Sequence, residues 1–112
     1  MSSTQTRTQF TTFKPAGFLS AANASEFLER LTVEVTSSID SVLLVNLEAV
    51  EFMDSAGLMA LVKAFRLAES LGRRFVICSL APSVRIMFEL TQLDKAFEIF
   101  DNCDAFQAAI EQ

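Results

Sequence analysis

Two strand-length stretches rich in β-branched residues carry apolar residues in unbroken runs: Val42-Leu43-Leu44-Val45 within Ser41 to Leu47, and Phe75-Val76-Ile77-Cys78 within Arg74 to Leu80. A strand with one face in water alternates apolar and polar positions, whereas a strand covered on both faces does not. Coverage of both faces is the mark of a parallel sheet, whose strands must be joined by crossovers that lay helices on it. Helical periods fall where such crossovers are needed. Asn23-Ala24-Ser25-Glu26 has the spacing of a capping box, and Ala24, Phe27, Leu28, Leu31 and Val35 recur on one helical face. A second helix is predicted from Ser55 to Gly72, where glycine supplies the left-handed ending. Leu58, Leu61, Val62, Phe65 and Ala68 would face inward, leaving Met59, Lys63, Arg66 and Ser70 outside.

Further along, Ala81-Pro82-Ser83 opens a third helix that buries Val84, Met87 and Phe88. Ala96 to Phe100 reads as a last strand, and Asp101-Asn102-Cys103-Asp104 offers caps for a terminal helix burying Phe106, Ala109 and Ile110. At the other end, Gln9 to Phe13 is β-prone, Pro15 and Gly17 stop it, and Phe18-Leu19 makes a second short strand. That pattern predicts an antiparallel N-terminal hairpin. The expected fold is therefore α/β: one domain with a mixed, mostly parallel sheet and about four helices. With 112 residues there is room for one core, expected over 9–112 behind a polar tail over 1–8.

Composition removes several function classes. Fourteen acids against nine bases give a net charge of −5, which opposes nucleic-acid binding through phosphate neutralisation. All eleven aromatics are phenylalanine, so no indole or phenol is available to line a sugar or base site. The N-terminus lacks an apolar leader and no run reaches membrane-spanning length, so a cytoplasmic protein without a membrane partner is expected. The three glycines cannot build a phosphate loop or a dinucleotide fingerprint, so no cofactor is expected. Cys78 and Cys103 lack a C-x-x-C spacing, which gives little support to a disulfide or a zinc site. Glu48, Glu51 and Asp54 lie at strand spacing with no convergent fourth group, so a metal site is not expected either.

The chemistry concentrates at Val50-Glu51-Phe52-Met53-Asp54-Ser55-Ala56-Gly57-Leu58, an apolar strand running into the second helix. It places a hydroxyl at a helix N-terminus, where outward-pointing N–H groups and the helix dipole favour an anion such as a phosphate on Ser55. Serine is equally a preferred N-cap residue, so Ser55 could be only a cap. Gly57 in the first helical turn is costly, which is explained by a close approach of another chain or of another element. Met53 to Gly57 comes within one residue of the G-x-S-x-G nucleophile elbow, but the chain has no histidine to act as base and Lys63 points elsewhere. No catalytic residue is expected. Residues 55–85 carry five bases and one acid between acidic flanks, compatible with a docking surface around Ser55.

Phe52-Met53-Asp54-Ser55-Ala56-Gly57-Leu58 closely resembles the signature of the STAS domain, the anti-sigma-factor antagonist fold of bacterial partner-switching systems. Leu44-Val45-Asn46-Leu47 upstream and Cys78-Ser79-Leu80-Ala81-Pro82-Ser83-Val84 downstream extend the likeness, which runs from Phe13 to Phe106. The resemblance implies a non-enzymatic, monomeric or weakly dimeric signalling module. It would bind an anti-sigma factor with serine-kinase activity, be released by phosphorylation of Ser55, and be reset by a serine phosphatase. The implied contact residues are Ser20, Asp54, Ser55, Ala56, Gly57, Leu58, Met59, Lys63 and Arg66. Family members often carry Gly-x-Leu-Asp where this chain has Gly17-Phe18-Leu19-Ser20, so partner contact is expected to differ at Ser20. The alternative is a constitutive scaffold or transporter-associated STAS module in which Ser55 only caps a helix.

Overall fold

The computed structural model describes residues 9–37 and 40–111; the expected tail over 1–8 lies outside them. The elements follow in the order β1 (Phe10–Phe13), β2 (Gly17–Leu19), α1 (Ala24–Ser37), β3 (Val42–Asn46), β4 (Val50–Met53) and α2 (Ser55–Ser70). After these come β5 (Arg74–Cys78), α3 (Pro82–Leu90), a 3-10 turn at Leu93–Lys95, β6 (Glu98–Phe100) and α4 (Cys103–Ile110). Four strands form a parallel sheet in the order β1-β3-β5-β6, and β2 pairs with β4, also in parallel, as a small second sheet.

The antiparallel N-terminal hairpin is not formed. β1 pairs with β3 and β2 with β4, so Phe10 to Leu19 runs alongside Val42 to Met53 in one direction throughout. Both segments bend between their two strands, and the bends are joined where Gly17 N–H donates to Ala49 O at 2.9 Å. Gly17 takes φ +85°, a conformation that redirects the chain into the second sheet without reversing it. Pro15 and Gly17 thus mark a kink. The partner strand that β1 and β2 need for their backbone groups comes from beyond α1, not from each other.

The unbroken apolar runs have the predicted cause. In β3, Leu43 and Val45 join a large core with Phe27, Leu31 and Val35 of α1 and Leu58, Leu61 and Ala64 of α2. Val42 and Leu44, on the opposite face, join Val76, Cys78 and Phe106 of α4 in a smaller one. All five residues of β3 are buried. Phe65 is only partly buried and instead packs its ring on Phe75 and Phe97, with centroids 5.9 and 4.7 Å away. In α4, Phe106 is the buried anchor, whereas Ala109 is exposed and Ile110 partly so. The helix is short, and one wholly buried ring suffices to seat it.

Helix ends follow local chemistry. α2 stops where Gly72, at φ +72°, donates to Glu69 O and Arg73 N–H returns to Ala68 O. Before α1, the Asn23 side chain is committed to the preceding loop: Oδ1 accepts Ser20 N–H at 2.9 Å and Nδ2 donates to Phe18 O at 2.7 Å. The expected capping box is thus replaced by a loop clamp that holds the β2–α1 connection beside the start of α2.

Candidate functional site: the N-terminus of helix α2

β4 delivers Asp54 to the first turn of α2 in extended conformation, and Asp54, not Ser55, is the N-cap. Its Oδ1 accepts Gly57 N–H at 3.1 Å and its Oδ2 accepts Ala21 N–H at 3.0 Å, while its own N–H donates to Leu19 O at 3.0 Å. One carboxylate thus ties the helix start to the β2–α1 loop. The Gly57 N–H and, less strongly, those of Ala21 and Ala56 hold the Asp54 carboxyl below the usual carboxylate range despite partial desolvation. So acidic a carboxylate is a poor base for activating the neighbouring hydroxyl.

With the cap provided by Asp54, Ser55 occupies the first helical position and is exposed. The reading of Ser55 as merely a helix cap is therefore corrected. Gly57 meets the predicted close approach, and the approaching element belongs to the same chain. A Cβ at this position would lie 2.4 Å from Leu19 O and 3.0 Å from Leu19 C, both backbone atoms. β2 rests directly on the first turn of α2, and only glycine allows it.

The nine residues of the implied contact surface divide into two groups. Ser55, Met59, Lys63 and Arg66 lie on the outer side of α2, with Met59 48% exposed, and Ala56 and Asp54 are partly exposed beside them. Gly57 and Leu58 are buried, Leu58 to 4%, and face β2 and the core. Ser20 is partly exposed in the loop that Asp54 holds, three positions before the Asn23 whose Oδ1 accepts its N–H. Ala56, Met59 and Lys63 also line a hollow of about 210 Å³ between α2 and α1, opposite Ala24, Ser25 and Leu28.

The basic middle third does not gather around Ser55. Arg74 pairs with Glu98, Arg85 pairs with Asp101 at 3.6 Å, and Arg73 Nη1 donates to Asp40 O at 3.0 Å. Of the five bases over 55–85, Lys63 and Arg66 are the two that stand exposed on α2. Two exposed aromatics that sequence periodicity does not single out stand on the small sheet: Phe18 (60% exposed) and Phe52 (47%), with ring centroids 5.8 Å apart. Strand alternation would set Phe52 on the side of Val50, yet β4 buries Val50 and Met53 and leaves both Glu51 and Phe52 exposed, so no sequence period marks the pair. Of the three carboxylates considered for a metal, Glu48 pairs with Lys14 at 3.4 Å and Asp54 accepts backbone N–H groups.

Cys78 and Cys103, distant in sequence, are brought together, with Sγ atoms 3.2 Å apart and both thiols free. Among the described residues no helix is long and apolar enough to cross a membrane.

Comparison with known proteins places this geometry. The chain is similar in fold to an anti-sigma factor antagonist from Mycobacterium paratuberculosis, at 24% identity over 92% of this chain and 86% of that one, with a TM-score of 0.81. It is similar to the phosphorylated form of the Bacillus cell fate determinant SpoIIAA, at 18% identity over 96% of each chain and a TM-score of 0.65. A sulfate transporter family protein from Wolinella succinogenes shares the fold at 15% identity, over 90% of this chain and 84% of that one, with a TM-score of 0.77. Likeness at these identities shows the architecture, and the family model for the STAS domain matches residues 2–105. The chain belongs to the STAS domain family.

Proposed function

We propose that this chain is a phosphorylation-controlled binding module of the anti-sigma-factor antagonist type, with Ser55 as its switch. The observation that carries this reading is the division of labour at the start of α2. Asp54 performs the capping, so the Ser55 hydroxyl is exposed and has no stabilising task that would keep it occupied. In the unphosphorylated form the face bearing Ser55, Ala56, Met59, Lys63 and Arg66, flanked by Ser20 and the Phe18–Phe52 pair, docks on an anti-sigma factor that is also a serine kinase. A phosphate on Ser55 adds about −1.5 to −2 charge at the centre of that contact, next to the ionised Asp54. The helix N-terminus tolerates the new charge within the fold, while a partner surface packed against it does not. A serine phosphatase restores the binding form.

The test is binding of the anti-sigma kinase to wild-type protein, to protein phosphorylated on Ser55 and to Ser55→Asp. Phosphorylation should weaken binding by at least about tenfold, or 1.4 kcal/mol, with an unchanged circular-dichroism melt. Equal affinity of the phosphorylated and unphosphorylated forms would sink the proposal. The similarity to a sulfate transporter family protein favours, as a second reading, a constitutive interaction module. Phosphopeptide mapping of protein from its own cells separates the two: Ser55 should carry phosphate under some condition in the first and under none in the second.

A further inference from the structure

The Cys78–Cys103 pair lies apart from the Ser55 face and is not accounted for by partner binding. The two residues are 25 positions apart in the chain, yet their Sγ atoms stand at 3.2 Å. Cys78 ends β5 in the small core and is wholly buried. Cys103 is the first residue of α4, is only partly buried, and opens into a hollow of about 190 Å³ lined also by Glu48, Ser79, Asn102 and Asp104. Asn46, a buried polar residue at the end of β3, is oriented by accepting Glu48 N–H on Oδ1 at 3.0 Å; its Nδ2 then donates to Cys103 Sγ at 3.2 Å. The same carboxamide N–H holds the Cys103 sulfur in place beside that of Cys78, at the partly exposed edge of the small core.

From this arrangement we infer that Cys103 and Cys78 form a peroxide-responsive dithiol, with Cys103 the attacking and Cys78 the resolving sulfur. The Cys103 thiolate attacks one oxygen of a hydroperoxide; the S–O bond forms, the O–O bond breaks, and the departing oxygen takes up the proton that Cys103 released. Cys78 sulfur then attacks Cys103 sulfur, the S–S bond forms, the S–O bond breaks, and hydroxide leaves as water with the Cys78 proton. Two thiols are oxidised by two electrons in total, and one hydrogen peroxide is reduced to two waters. Burial and the contact with Cys103 push the Cys78 thiol up to about 12, so it stays protonated and shielded until its neighbour has been oxidised. Joining the sulfurs requires them to approach by roughly an ångström. The acids Glu48 and Asp104 at the hollow favour a small neutral oxidant over an anionic disulfide such as that of glutathione.

The experiment is titration of the reduced protein with hydrogen peroxide, followed by alkylation and non-reducing peptide mapping. The expected product is a monomer lighter by two hydrogen atoms that carries a Cys78–Cys103 linked peptide and is restored by dithiothreitol. Cys103→Ser, at the partly exposed position, should slow oxidation of Cys78 by about tenfold or more. In Cys78→Ser, Cys103 should be trapped by dimedone as the sulfenic acid. The inference is overturned if wild-type Cys103 proceeds to sulfinic acid while Cys78 remains alkylatable, if the disulfides are intermolecular, or if Cys78 oxidises at the same rate in Cys103→Ser. Should Cys78→Ser fail to fold, the wild-type map and Cys103→Ser decide the matter alone.

Discussion

The first turns of α2 and α4 are built alike and face different surroundings. Each helix begins with an extended Asx residue whose side-chain oxygen accepts the N–H three positions on, Asp54 from Gly57 at 3.1 Å and Asn102 from Ala105 at 2.7 Å. Each then offers a modifiable side chain at its first helical position, Ser55 or Cys103. Ser55 lies on an exposed face, whereas Cys103 is partly buried against Asn46 and Cys78 at a hollow of about 190 Å³. Capping supplies the same local field in both places. What chemistry can use that field is set by what packs around it.

The largest effect that would break this pairing is expected at the third helical position. Gly57→Ala should destabilise the domain by about 2 kcal/mol or more, because the new Cβ meets the Leu19 backbone. Helix propensity alone predicts the opposite sign, a gain of about 1 kcal/mol. At the matching position of α4, Ala105→Gly should cost only about 0.5–1 kcal/mol. Urea melts of the two variants check both the sign and the order.

Removal of the caps should follow in size. Asn102→Ala loses one cap at about 1 kcal/mol. Asp54→Ala should lower the melting temperature further, since the same carboxylate also holds the Ala21 N–H. The two caps also differ in acid. A carboxyl whose folded pKa is depressed contributes stability that is complete above its unfolded value of 3.8 and is lost as pH falls through the lower folded value. Melting temperatures followed from about pH 5 to pH 2 should fall less steeply for Asp54→Asn than for wild type, and Asn102→Ala should leave that slope unchanged. The smallest effect belongs to Ser55→Ala, which should shift stability by no more than about 0.5 kcal/mol, since the cap lies one residue earlier. A loss near 1 kcal/mol in the same melt would return Ser55 to a structural role.

Much of this was readable in the chain. The buried strands β3 and β5, the inward stripe Phe27-Leu31-Val35, the glycine stop at Gly72 and the strand-to-helix passage at Asp54-Ser55 follow from patterns no longer than one element. Other features were misread for one shared reason. Pro15 and Gly17 mark a bend whether the chain reverses or continues, and only the pairing of β1 with β3 shows which. The Cys78–Cys103 pair, 25 positions apart, has no spacing to betray it.

Local sequence, then, determined where backbone groups find partners within a turn or a strand, since capping bonds and side-chain periods operate over three or four residues. The tertiary structure alone decided the direction of β1, which element rests on Gly57, the exposure of Ser55 and Phe52, and the meeting of Cys78 with Cys103. Each depends on elements that the crossovers bring together from distant parts of the chain, and packing at contact distance is a property of both partners at once.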